Sequence, residues 1–134
     1  MSETTTATGA IESKSWEQTE YAPVPGAPAL ATAKGYDRYR GDLDGDADWQ
    51  GLMFAGPDGS GTFHSLQRTR GTLGGRTGSF VLELNGTFAA TGESRADWRI
   101  VPGSGTGDLA GITGTGGYES GGSSATYTLI YRLP

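Results

Sequence analysis

Four aspartates alternate over a short stretch, Asp42, Asp44, Asp46 and Asp48, with Gly45 among them. Hard cations take several carboxylate oxygens in a tight turn, so calcium coordination is the chemistry to weigh first. The spacing departs from an EF-hand: the glycine stands fourth in the run, and no Glu closes the loop. Asp and Gly together mark a solvated turn between strands, and no metal is expected. Gly103-Ser-Gly-Thr-Gly107 imitates a phosphate loop, but no Lys-Ser/Thr follows it and no βαβ unit frames it. It reads as a tight connection. His64 is the single histidine, and there is no Cys. A hydrolase triad would need His64, yet no G-x-S-x-G elbow is present, and alternation sends His64 to the outer face with Arg68 and Arg70. A metal-dependent hydrolase would have carboxylates as its other strong ligands and is poorly supported. Neutral polar and aromatic side chains remain: Gln50, Ser65, Gln67, Trp98, Tyr127 and Tyr131.

Those side chains need elements to hold them, and glycine says which. The chain has 24 Gly in 134 residues, more than twice the ordinary ~7%, without a Gly-X-Y period and interleaved with aromatics. Long helices find no room, so the class is all-β. Eight strands are expected, over 7–18, 30–41, 49–54, 62–73, 78–87, 94–101, 112–118 and 125–133, with at most a short helical turn near 106–111. Pro57-Asp-Gly-Ser60 and Gly74-Gly75 are hairpin turns, and Gly121-Gly122 is another. Residues 1–6 form a leader and 7–134 a single domain.

Period-2 patterning assigns faces. Phe80, Leu82, Leu84, Gly86 and Phe88 face inward on one strand. The same logic turns Gln50, Leu52 and Phe54 inward, with Phe63, Ser65 and Gln67, with Ala96, Trp98 and Ile100, and with Tyr127, Leu129 and Tyr131. Eight antiparallel strands with short turns and one apolar face close into a barrel, because closure removes the edges of a meander. A barrel of that size can hold one small ligand. Gly51 and Gly86, inside strands, are the positions where such a pocket would be made.

Charge and termini bound the partners. Ten basic against fifteen acidic residues, net −5, with no basic cluster, argue against nucleic acid and anionic membranes. The first residues show no basic n-region followed by an apolar stretch, and no run approaches a membrane span. A cytoplasmic protein is expected, and a homo-oligomer is compatible with it.

Gly71-Thr-Leu-Gly-Gly-Arg-Thr-Gly-Ser-Phe-Val-Leu82, Trp98-Arg-Ile-Val-Pro-Gly-Ser-Gly-Thr-Gly-Asp-Leu-Ala-Gly-Ile112 and Tyr127-Thr-Leu-Ile-Tyr131 resemble a family of small bacterial proteins of unassigned function. Its members look like allene-oxide-cyclase-type, lipocalin-like β-barrels, and the likeness runs from about residue 7 to the C-terminus. The resemblance implies an eight-stranded antiparallel barrel. Related barrels include allene oxide cyclases, dirigent-type proteins and natural-product cyclases, which fold a bound apolar substrate for ring closure. Acidic residues are common in the family where this chain has Gln50 and Gln67, and His where it has Leu84. The comparison therefore implies a lumen in which neutral amides and an aliphatic replace titratable groups.

The resulting expectation is a cofactor-independent cyclase or isomerase acting on a small, largely apolar, natural-product-like substrate. Gln50, Gln67 and Tyr127 would supply neutral hydrogen-bond donors to a carbonyl. Leu52, Phe54, Phe63, Ser65, Phe80, Leu82, Leu84, Trp98, Leu129 and Tyr131 would form the walls. The alternative is a carrier that holds a lipid or metabolite unchanged in the same lumen.

Overall fold

The computed structural model describes residues 3–121 and 124–134. It is all-β. Nine strands run as β1 (Thr5–Tyr21), β2 (Ala29–Gly41), β3 (Leu43–Ala55), β4 (Gly61–Leu73), β5 (Arg76–Phe88), β6 (Ser94–Ile100), β7 (Thr106–Gly107), β8 (Thr113–Ser120) and β9 (Ser124–Arg132). Eight of them form an antiparallel meander that closes on itself when β1 pairs with β9, from Thr5 opposite Tyr131 to Glu12 opposite Ser124. The two-residue β7 adds to β5 beside Gly78 and Ser79.

Local chemistry explains the corners. Leu73 pairs with Arg76 across Gly74 and Gly75, whose φ angles of 58° and 84° match a two-residue turn of the kind that follows strand twist. At the β3–β4 turn the Asp58 carboxylate accepts the Ser60 N–H at 2.9 Å.

Two expectations are corrected. Asp44, Asp46 and Asp48 are not a turn: β3 starts at Leu43, and alternation sends these carboxylates outward. There Arg38 meets Asp44 at 2.6 Å, and Arg70 meets Asp46 at 2.7 Å and Asp48 at 2.6 Å. The turn itself is Asp42, whose carboxylate accepts the Thr8 N–H at 2.9 Å. The stretch 106–111 stays within the expected limit of a short helical turn: it makes β7 and single turns, such as Leu109 N–H to Thr106 C=O at 3.0 Å. Thr5 and Thr6, counted above in the leader, already pair with Tyr131 and Ile130. Met1, Ser2 and Gly122 lie outside the described residues.

The barrel is filled at one end. Leu43, Leu73, Phe80, Leu82, Ile100 and Leu129 are buried there, and Leu109 and Ile112 from the β6–β8 connection plug the base. Above this layer lies an aromatic cluster: Tyr39 with Tyr127 at 5.4 Å between ring centroids, Trp98 with Tyr127 at 6.0 Å, and Trp98 with Tyr118 at 6.2 Å. Such pairs add about 0.5–1.5 kcal/mol each beyond their burial.

Candidate functional site

Above the aromatic cluster the interior side chains become small. The inner face of β2 reads Ala29, Ala31, Ala33, Gly35, Asp37 and Tyr39, and β3 beside it presents Trp49, Gly51, Met53 and Ala55. Methyl groups and hydrogens do not reach the barrel axis. A cavity of about 440 Å³ results, closed below by Tyr39, Gln67 and Tyr118 and walled by Phe63, Leu84 and Phe88. Half-exposed Trp16 also borders it.

A bulge brings Trp16 there. Ser13 pairs with Asp37 and Ser15 with Tyr36, so Lys14 is the extra residue. An extra residue in a strand exchanges its two faces from that point on. Before the bulge Ala7, Gly9, Ile11 and Ser13 face inward; after it Trp16 and Gln18 do. Beyond Glu12, β2 is the one ladder partner of β1 among the described residues, and the bulge with Lys14, Glu17 and Glu20 guards that edge.

Asp37 stands in this wall, opposite Ser13 on β1 and Ala47 on β3. Burial pushes its carboxyl from the ordinary 3.8 up to about 6, and a hydrogen bond from the Trp49 side chain draws it the other way. Gly35 permits that contact. The Trp49 indole lies across it so closely that a Cβ there would sit 2.6 Å from the ring carbons Cε2 and Cζ2. A bare backbone at Gly35 therefore leaves room for the indole beside Asp37.

The floor is a hydrogen-bonded set. The Gln67 amide nitrogen donates to the Tyr39 hydroxyl at 2.7 Å and to Thr69 Oγ1 at 3.1 Å, which engages both amide hydrogens within the wall. Its carbonyl oxygen is the atom left over. Burial drives the Tyr39 and Tyr118 hydroxyls above the ordinary phenol value, and the Asp37 charge adds to it. Both remain protonated donors at neutral pH.

With this geometry in place, residues 7–131 match a family model described as DUF3224, a protein of unknown function. The chain belongs to the DUF3224 family. A DUF3224 protein of unknown function from Shewanella oneidensis has a crystal structure similar to this one, with a TM-score of 0.78 and 26% sequence identity, covering 96% of this chain and 97% of that chain. No curated protein matches the chain.

In this DUF3224 barrel the structure sorts the residues expected at the site. Gln67, Phe63, Ser65 and Leu84 line the cavity together. Gln50 and Phe54 do not: their strand runs one step out of the expected phase, and Phe54 is 42% exposed on the outer face. Leu52 borders the rim but is 51% exposed on that same outer face. Phe80, Leu82, Leu129 and Tyr131 are core residues below the cavity. Trp98 is also beneath the floor, and its buried indole nitrogen has no acceptor, so it contributes packing. The Tyr127 hydroxyl accepts the Leu43 N–H at 2.9 Å and lies 3.2 Å from the Arg40 and Leu43 carbonyls, so it braces the β2–β3 turn. His64 borders the rim but faces outward as read, with Nδ1 2.5 Å from Asn85 Oδ1. Gly51 lines the cavity, whereas Gly86 lies under the Phe63 ring.

The expected catalytic and wall residues did not include Asp37, Trp49, Tyr39 or Trp16. For Asp37 and Tyr39 a signal existed: Ala31, Ala33, Gly35, Asp37 and Tyr39 alternate as a face of small residues ending in an acid and an aromatic. The expectation of a lumen without titratable groups is therefore corrected, since Asp37 provides one. No helix among the described residues is long and apolar enough to cross a membrane.

Proposed function

We propose that the lumen binds a small, largely apolar molecule and promotes a cofactor-independent isomerisation or ring closure. One observation carries the reading: among the described residues, one carboxylate, Asp37, lines a mostly apolar cavity that no Lys or Arg borders. Binding sites of this kind combine hydrophobic walls with a few convergent polar groups. Trp16, Met53, Phe63 and Phe88 would hold the substrate folded and exclude water. Asp37 would take a proton from one position of the substrate and return it at another, or stabilise positive charge as a ring closes. Tyr39 and Tyr118 would orient a substrate oxygen.

The test incubates the protein with polyene, polyketide and epoxide candidates and follows products by mass spectrometry and chiral separation. Turnover that Asp37→Asn abolishes supports the reading. A carrier is the second reading, favoured by the engagement of both Gln67 amide hydrogens inside the wall. Saturable quenching of tryptophan fluorescence with unchanged compound would establish the carrier and sink the enzyme.

A further inference from the structure

The charge balance of the cavity narrows the ligand. Among the described lining residues there is one carboxylate and no Lys or Arg; His64 borders the rim with its side chain on the outer face against Asn85. The basic side chains near it lie elsewhere: Arg38 bonds Asp44 at 2.6 Å and Arg70 of β4 bonds Asp48 at 2.6 Å on the outer surface, and Arg40 is exposed at the end of β2. Asp37 takes part in no ion pair among the described residues. A carboxylate withdrawn from water without a cation is costly, and proteins ordinarily supply the partner. Here the Trp49 side chain stands beside the carboxylate, and no ion pair among the described residues compensates its charge.

The surroundings of Asp37 suit a cation in a second way. Trp49 lies beside it, Tyr39 follows it on the same face of β2, and Tyr118 is close enough to feel its charge. Aromatic faces attract ammonium groups, most strongly where water is excluded. Gln67 adds a carbonyl oxygen, since its donors are engaged. The polar atoms offered to a ligand are weighted towards acceptors, which a cationic donor would satisfy. The net charge of −5 draws cations to the surface as well.

We propose that the ligand of this lumen is an apolar molecule carrying one positively charged nitrogen, an amine or a quaternary ammonium, paired with Asp37 and set against Trp49 and Tyr118. The inference rests on the lumen being a ligand site, as proposed above, and names the substrate class. Neutral and anionic apolar molecules of equal size are disfavoured, because the first leaves the carboxylate unpaired and the second repels it.

The experiment titrates the protein with hexylamine, hexyltrimethylammonium, 1-hexanol and hexanoate at neutral pH, following the fluorescence of Trp16 and Trp49. The two cations should bind saturably and at least tenfold more tightly than 1-hexanol, with hexanoate weakest. Asp37→Asn should reduce the preference to about twofold. Asp97→Asn, which removes one charge from the exposed face of β6, should retain it and thereby exclude a general effect of net charge. Equal binding of hexanol and hexylamine, or a preference that survives Asp37→Asn, overturns the cationic ligand while leaving the lumen as a binding site. Binding of none of the four overturns both this inference and the reading of the lumen beneath it.

Discussion

Replacing Asp37 with Asn should stabilise the protein at neutral pH and do nothing in acid. The carboxyl titrates at about 6 when folded, against an ordinary value of 3.8, because burial disfavours its charge. At 1.36 kcal/mol per pH unit, that difference makes the ionised group cost the fold as much as about 3 kcal/mol. Below pH 3.8 the group is protonated in both states and the cost is absent. Between 3.8 and about 6 the unfolded chain has released its proton while the folded one keeps it, so stability falls as pH rises. Above that window the loss is complete and constant. Asn has the same shape and no charge. Urea unfolding of both proteins, followed by tryptophan fluorescence from about pH 3.5 to 8, should therefore give curves that coincide at the acid end and separate upward through this window, the variant reaching an advantage of as much as about 3 kcal/mol. A difference between the two proteins that does not change with pH would refute the placement of Asp37 in a desolvated wall. So would a variant less stable than the parent at neutral pH. A residue that weakens the fold in this way is what a site tuned for function looks like.

Other perturbations separate the cavity from its frame. Tyr127→Phe removes the acceptor of the buried Leu43 N–H and should cost about 1–3 kcal/mol in thermal or urea unfolding, while leaving hexylamine affinity unchanged. Gly35→Ala would place a methyl 2.6 Å from the Trp49 ring and 2.7 Å from the Ser15 carbonyl oxygen. Its expected cost is about 1–3 kcal/mol, with a change in tryptophan emission as the indole leaves Asp37. Gln67→Ala leaves the Tyr39 hydroxyl without its donor and should weaken amine binding, whereas Gln50→Ala on the outer face should alter neither binding nor stability beyond about 0.5 kcal/mol.

The misplacement of Gln50, Leu52 and Phe54 has a physical cause. Sequence patterning assumes that the more apolar face of a strand is the buried one. In the filled half of the barrel that holds: Phe80, Leu82, Trp98, Leu129 and Tyr131 all point inward. In the hollow half it inverts, because a cavity requires small residues inside. Ala31, Ala33, Gly51 and Ala55 face the lumen there, while Leu30, Leu52, Phe54 and Leu66 are left on the outer face. Phe63, Ser65 and Gln67 were legible because β4 keeps its apolar and polar alternation in phase with the core layer below. Trp16 was not, since nothing in Ser13-Lys-Ser15 announces a bulge.

By itself the sequence determined the strand class, the hairpin turns and the composition of the filled core. Glycine density, turn chemistry and two-residue alternation are local properties of the chain, and they suffice for a closed meander. Its blocks from Gly71, Trp98 and Tyr127 also pointed to the family. Only the tertiary structure decided which side chains meet. Asp37 became a candidate site when closure of the barrel set it against Trp49, Tyr39 and Tyr118 in a space with no cation to answer it. The environment of a charge is a property of everything packed around it, and those neighbours come from strands up to about eighty residues away along the chain.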